Sequence, residues 1–151
     1  MNFRSEDRLG DFNFEDSRWS LLLWDTDADV CRVGIKGLNL KSGTPHDPAD
    51  VDLEIEYAVM TFDGLRVSEF RVHDPEEAAF EGPEAAVRLL EALRNGLTAD
   101  QFDPSAHTPG RACLLVDDRR TACDAVLEFR RVAGEWDALK GKAWYTGLTD
   151  Y

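Results

Sequence analysis

The stretch Val51–Val72, VDLEIEYAVMTFDGLRVSEFRV, decides the fold predicted for this chain. Apolar residues recur on both sides of Asp63-Gly64, and an Asp-Gly pair between two such runs is the strongest short signal for a β-hairpin. A two-residue turn at Asp63-Gly64 pairs Phe62 with Leu65 and Met60 with Val67, because strand register follows from the turn. The sequence therefore predicts an antiparallel hairpin over residues 51–72.

In that register the two faces of the hairpin differ in chemistry. One face is apolar and is expected to meet the core: Val51, Leu53, Ile55, Tyr57, Val59, Phe70 and Val72. The other face is acidic far from the turn, at Asp52, Glu54 and Glu56, and apolar near it, at Met60, Phe62, Leu65 and Val67. An apolar tip must be covered, either by a helix of the same domain or by another chain. The second alternative makes these four residues a candidate homodimer surface.

The remaining elements favour an α+β fold. The segment 83–95, PEAAVRLLEALRN, has an apolar stripe at helical spacing, with Pro at its start and Gly96 after it. Strands are predicted at 19–24, 30–36, 112–116, 124–132 and 142–145, with a loop over 98–110 and a short helical turn from Asp74. Residues 119–133 fit helix and strand, and we favour strand.

We expect two parts in the chain, a polar segment over residues 1–18, which either is flexible or lies across the domain, and a single domain over 19–151. The domain is expected to hold a mostly antiparallel sheet of roughly six to seven strands, with one main helix over about 83–95 packed on a face.

The charge is the most informative property for function. The chain of 151 residues has 30 acidic residues against 17 Lys and Arg, a net charge of −13. Such a field repels phosphate and anionic lipid, so it disfavours nucleic acid and membranes as partners and favours a basic protein. The candidate contacts are the clustered acids Asp25, Asp27, Asp29, Asp52, Glu54 and Glu56. The alternative is an acidic surface that serves solubility alone.

The candidate metal-binding and catalytic motifs lack the residue spacing that such sites require. Asp25-x-Asp27-x-Asp29 resembles the start of a calcium loop, but the positions that require Gly and Glu hold Val30 and Lys36. Cys31, Cys113 and Cys123 form no CxxC pair, which favours buried, reduced thiols over zinc or disulfides. His46 and His73 each precede Asp-Pro, a pattern typical of turns and caps. We expect no metal and no cofactor.

Three functions are consistent with this sequence. The first is a small acidic cytoplasmic binding protein that neutralises a basic protein partner, such as an immunity protein or an inhibitor of a toxin. The second is a structural or regulatory module that self-associates through the 51–72 hairpin. The third is an enzyme with a dispersed site near His46 or His73. A cytoplasmic location is expected because the N-terminus has no apolar signal region and no apolar run reaches membrane-spanning length.

Overall fold

The computed structural model describes residues 1–74, 76–117 and 121–146. Within these ranges the chain is α+β and mostly antiparallel, with one α-helix, as predicted. The predicted number of six to seven strands is wrong, because the described residues form a ten-stranded and a four-stranded sheet. Pro75, residues 118–120 and residues 147–151 of the predicted domain lie outside the described part.

The strands were underestimated because many are short. They are β1 (Phe3–Glu6), β2 (Phe12–Asn13), β3 (Ser17–Asp25), β4 (Val30–Lys36), β5 (Asn39–Leu40), β6 (Leu53–Ile55), β7 (Ala58–Asp63), β8 (Arg66–Asp74), β9 (Ala78–Glu81), β10 (Leu97–Pro104), β11 (Arg111–Asp117), β12 (Ala122–Glu128), β13 (Arg131–Trp136) and β14 (Leu139–Lys142). The large sheet has the order β1-β13-β7-β4-β3-β10-β11-β12-β8-β9, and the small sheet the order β14-β6-β5-β2.

The helix α1 (Gly82–Asn95) confirms the sequence prediction. Pro83 lies in its first turn, and Gly96, with φ +78°, ends it by donating its N–H to the carbonyl of Leu93 at 3.2 Å. This left-handed φ favours glycine. Leu89 and Leu93 are buried, and the helix packs on β8, β9 and β3. The helix therefore covers one side of the large sheet.

The predicted hairpin pairing is wrong, because β7 and β8 do not pair with each other. Strand β7 lies between β13 and β4, and β8 lies between β12 and β9. Met60 is opposite Val33 and Gly134, not Val67. Asp63 and Gly64 do not reverse the chain, because β7 continues into β8 in the same direction, with Asp63 opposite Arg131 and Arg66 opposite Glu128. Gly64, with φ +68°, lies at the bend between the two strands. Each strand gains two neighbours in this arrangement, so more backbone groups are paired than in an isolated hairpin.

The large sheet folds back on itself around the core. Strands β7 and β8 are third and ninth in the sheet order, yet only two residues join them. Two residues span roughly 10 Å at most, so distant parts of the sheet must lie close together. The Phe62 ring of β7 lies 6.0 Å from that of Phe102 on β10 and 5.4 Å from that of Phe129. The core thus lies between the parts of one curved sheet and helix α1.

The N-terminal residues belong to this fold. The segment 1–18, for which flexibility and packing across the domain were the two alternatives, forms β1, a 3₁₀ turn at Leu9–Asp11, β2 and the start of β3. Leu9, Phe12 and Phe14 are buried in the core. The Phe12 ring lies 5.8 Å from the ring of Trp136, edge to face. The polar composition of the segment concealed these three anchors.

Other local predictions need correction. Residues 98–104, predicted as the start of a loop, belong to β10, which begins at Leu97. The helical turn predicted from Asp74 is absent from the described residues there, which belong to β8 and lead into β9. The last predicted strand, 142–145, lies earlier, as β14. In β3, Leu22 and Leu23 are 49% and 48% exposed, so this apolar run is not buried on both faces.

Candidate functional site: an acidic turn and an arginine-lined cleft

The residues Asp25–Asp29 form the acidic turn between β3 and β4. The carboxylate of Asp25 accepts the N–H groups of Asp27 at 3.0 Å and Ala28 at 3.2 Å, which fixes the turn. The carbonyl of Asp29 accepts the N–H of Leu65 at 3.0 Å, which ties the turn to the bend at Gly64. The acidic turn is therefore held in place at both ends by hydrogen bonds.

The three carboxylates of the acidic turn face solvent. Asp25, Asp27 and Asp29 are all exposed, and none forms an ion pair with any residue in the described ranges. The exposed side chains of Leu22 and Leu23 precede them at a β-bulge opposite Arg32. The turn thus presents free negative charge beside a small apolar surface.

The other three predicted acids lie in and beside the small sheet, and two of them have partners. Asp52 accepts the N–H of Ser42 at 2.9 Å, and the hydroxyl of Tyr145 donates to its second oxygen. Glu54 pairs with Lys140 at 3.4 Å, whereas Glu56 is exposed. Asp52 and Glu54 therefore already serve contacts within the chain.

The structure does not bring the six acids together. Val30, next to the acidic turn, is opposite Asp63 at one end of β7, and Ile35 is opposite Ala58 at the other end, which leads to β6. Five residue steps along a strand cover about 17 Å. The acidic turn and the small-sheet acids are thus separate surfaces.

The four residues of the candidate homodimer surface lie in the core. Met60 and Phe62 are 1% exposed, and Leu65 and Val67 are 5% exposed. Phe62 and Leu65 line a small buried cavity together with the helix residues Leu89 and Leu93. Residues of the same domain cover them: helix α1 packs on β8, which contains Val67, and lines this cavity with Phe62 and Leu65, while Met60 lies beside Gly134 of β13. The four residues therefore form no exposed surface.

The histidines have different surroundings. His46 is half-buried, with its ring 5.1 Å from that of Trp136 and Nε2 3.0 Å from the carbonyl of Arg4. The neighbouring Asp47 is fully buried, and burial raises the pKa of its carboxyl.

His73 is exposed and lies 2.6 Å from Asp124. A His–Asp pair orients an imidazole, but a nucleophile or metal is needed for the chemistry. Within the described residues no three His, Cys, Asp or Glu side chains form a metal-binding group.

A cleft lined by arginines, which was not among the predicted sites, lies beside the acidic turn. Its volume is about 560 Å³, and its charged lining consists of Arg66, Arg111, Arg130, Asp29 and Glu128. The three arginines begin β8, begin β11 and follow β12, so they are far apart in the chain. No sequence motif marks such a set. Only the sheet order, which places β8, β12 and β11 side by side, brings them to one end of the fold.

The chain matches no protein-family model, no curated protein and no solved structure. In the described ranges, no helix has the length and apolar character needed to cross a membrane.

Proposed function

We propose that this chain is a small acidic cytoplasmic protein that binds and neutralises a basic protein partner, as an immunity protein or an inhibitor of a toxin does. The observation that supports it best is the acidic turn, whose three exposed carboxylates have no ion pair within the described residues. A net charge of −13 would steer a basic partner towards the chain.

Of the two surfaces that carry the six predicted acids, the acidic turn is the better contact surface for a partner. The carboxylates of Asp27 and Asp29 can accept hydrogen bonds from Arg or Lys of a partner, and such charge-assisted bonds are stronger than neutral ones. Leu22 and Leu23 supply exposed apolar area next to them. An apolar centre with a charged rim is the usual composition of a protein interface. A partner that bound Asp52 or Glu54 would first have to break their contacts with Tyr145 and Lys140.

The experiment begins by capturing the partner from native lysate at low salt and identifying it by mass. Its affinity is then measured for the double variant Asp27→Asn/Asp29→Asn, which removes two charges and keeps the shape of the turn. Each lost contact at about 6 Å in water removes roughly 0.7 kcal/mol, so affinity should fall about ten-fold.

The matched control is Glu76→Gln/Glu77→Gln, which removes the same charge at two exposed residues before β9. The control should retain most of the affinity. An equal loss in both variants would show that net charge alone drives binding, and unchanged binding in the acidic-turn variant would show that the partner docks elsewhere. Either result contradicts the proposed contact surface.

A further inference from the structure

We propose that the cleft beside the Gly64 turn binds a phosphate-type oxyanion, either inorganic phosphate or a phosphate monoester. Its lining contains Arg66, Arg111 and Arg130 against the carboxylates of Asp29 and Glu128, so three positive charges face two negative ones. The chain as a whole has the opposite balance, at −13. The cleft is thus a local positive site in an acidic protein.

Two of the arginines are available to a ligand. Glu128 on the central strand β12 lies opposite Arg66 of β8 on one side and Arg111 of β11 on the other. Its carboxylate lies 3.8 Å from the guanidinium of Arg111, and one carboxylate does not neutralise two arginines. Arg66 and Arg130 form no ion pair with any residue of the described ranges. Free guanidinium groups bind oxyanions through two parallel hydrogen bonds.

The wall of the cleft is held by the backbone. The N–H of Arg130 donates to the carbonyl of Asp63 at 2.8 Å, and the N–H of Phe129 donates to the carbonyl of Gly110 at 2.8 Å. The side chain of Arg130 lies over Gly64, where a Cβ atom would collide with it. Glycine at this position therefore leaves room for the guanidinium. Thr108 adds a hydroxyl group to the lining.

The cleft continues into a second cavity that suits the body of a monoester. This cavity has a volume of about 400 Å³, shares Arg111 and Arg130 with the first, and adds Leu9 and Val132. An apolar group attached to a phosphate would meet these two side chains while the phosphate stays at the arginines. Inorganic phosphate would occupy the first cavity alone.

The test is calorimetric titration of the full chain with inorganic phosphate, phenyl phosphate and succinate at one low ionic strength. Arg66→Gln and Arg130→Gln should each weaken binding of both phosphate ligands by at least roughly three-fold, from the loss of one charge at about 6 Å in water. Asp29→Asn should strengthen binding by a similar factor. A variant that has merely lost its fold cannot gain affinity, so the opposite sign separates charge from misfolding. Arg94→Gln, an exposed arginine in the last turn of α1, is the matched control and should bind like the unaltered chain.

The two phosphate ligands distinguish the sources of the oxyanion. Tighter binding of phenyl phosphate identifies a monoester, and equal binding identifies phosphate itself. The proposal is overturned if neither phosphate ligand binds, if succinate binds as tightly as phosphate, or if Arg94→Gln weakens binding as much as Arg66→Gln.

Discussion

Replacing Phe62 by Ala tests whether the residues beside the Asp63-Gly64 bend belong to the core or to an exposed surface. Phe62 is 1% exposed, and its ring lies within 6.0 Å of the rings of Phe102 and Phe129. Removing a buried phenyl ring costs about 3–5 kcal/mol, because burial is lost and a cavity remains. A domain has roughly 5–15 kcal/mol of stability in total, so the loss is large.

The assay for this variant is equilibrium unfolding in urea. With a slope of about 2 kcal/mol per molar urea, a loss of 4 kcal/mol lowers the midpoint by about 2 M. Phe62→Leu retains most of the volume and should lose less than about 1.5 kcal/mol, which keeps the test readable if Phe62→Ala does not fold.

Leu22→Ala is the control for the Phe62 variant. Leu22 is 49% exposed, so its loss should change stability by no more than about 0.5 kcal/mol. A Phe62→Ala chain that keeps its stability but changes its oligomeric state in light scattering would refute the core assignment. That result would restore the hypothesis of self-association through the turn.

Two further predictions concern buried titratable groups. Because burial raises the pKa of Asp47, the folded chain holds a proton that the unfolded chain loses above about pH 4, so stability falls as pH rises through that window. Asp47→Asn should therefore gain stability relative to the unaltered chain between pH 4 and pH 7 in urea unfolding, and a constant difference would contradict this. Burial also raises the pKa of Cys31 to about 12, so its thiol should react slowly. Alkylation at pH 8, followed by peptide mass analysis, should therefore label half-exposed Cys113 well before Cys31. Equal labelling rates for the two cysteines would contradict the burial of Cys31.

Local signals in the sequence were sufficient for several elements. Helix α1 was predictable because its stripe, Pro83 and Gly96 all lie within 15 residues of one another. Strand β4 alternates cleanly at Cys31, Val33 and Ile35, and β12 at Cys123, Ala125 and Leu127. Such patterns arise from one buried face and need no knowledge of the partner strand.

Strand partners were not predictable from the same signals. The Asp63-Gly64 pair indicates a reversal, but the chain only bends there, and β7 pairs with β13, some 70 residues away, where Met60 and Val132 are both buried. Strand β10 was missed because a bulge between Ala99 and Gln101 breaks the alternation of its buried residues. The small sheet has strands of two to four residues, which are too short for any periodic pattern.

The candidate site was predictable only where its residues are neighbours in the chain. The acidic turn consists of five consecutive residues, so its cluster of carboxylates is visible in the sequence. The six acids were expected to form one surface, and the true strand pairing separates them. The arginine-lined cleft depends on the neighbouring ends of β8, β11 and β12, and a single sequence does not reveal that β8 lies beside β12.

The most direct test of the proposed function is the association rate with the basic partner as a function of ionic strength. If the acidic turn steers the encounter, association of the unaltered chain and of Glu76→Gln/Glu77→Gln should slow steeply as salt rises, because a Debye length of about 10 Å at 0.1 M screens the attraction. Asp27→Asn/Asp29→Asn should associate more slowly at low salt and show a clearly shallower dependence. The same dependence for both double variants would contradict docking at the acidic turn.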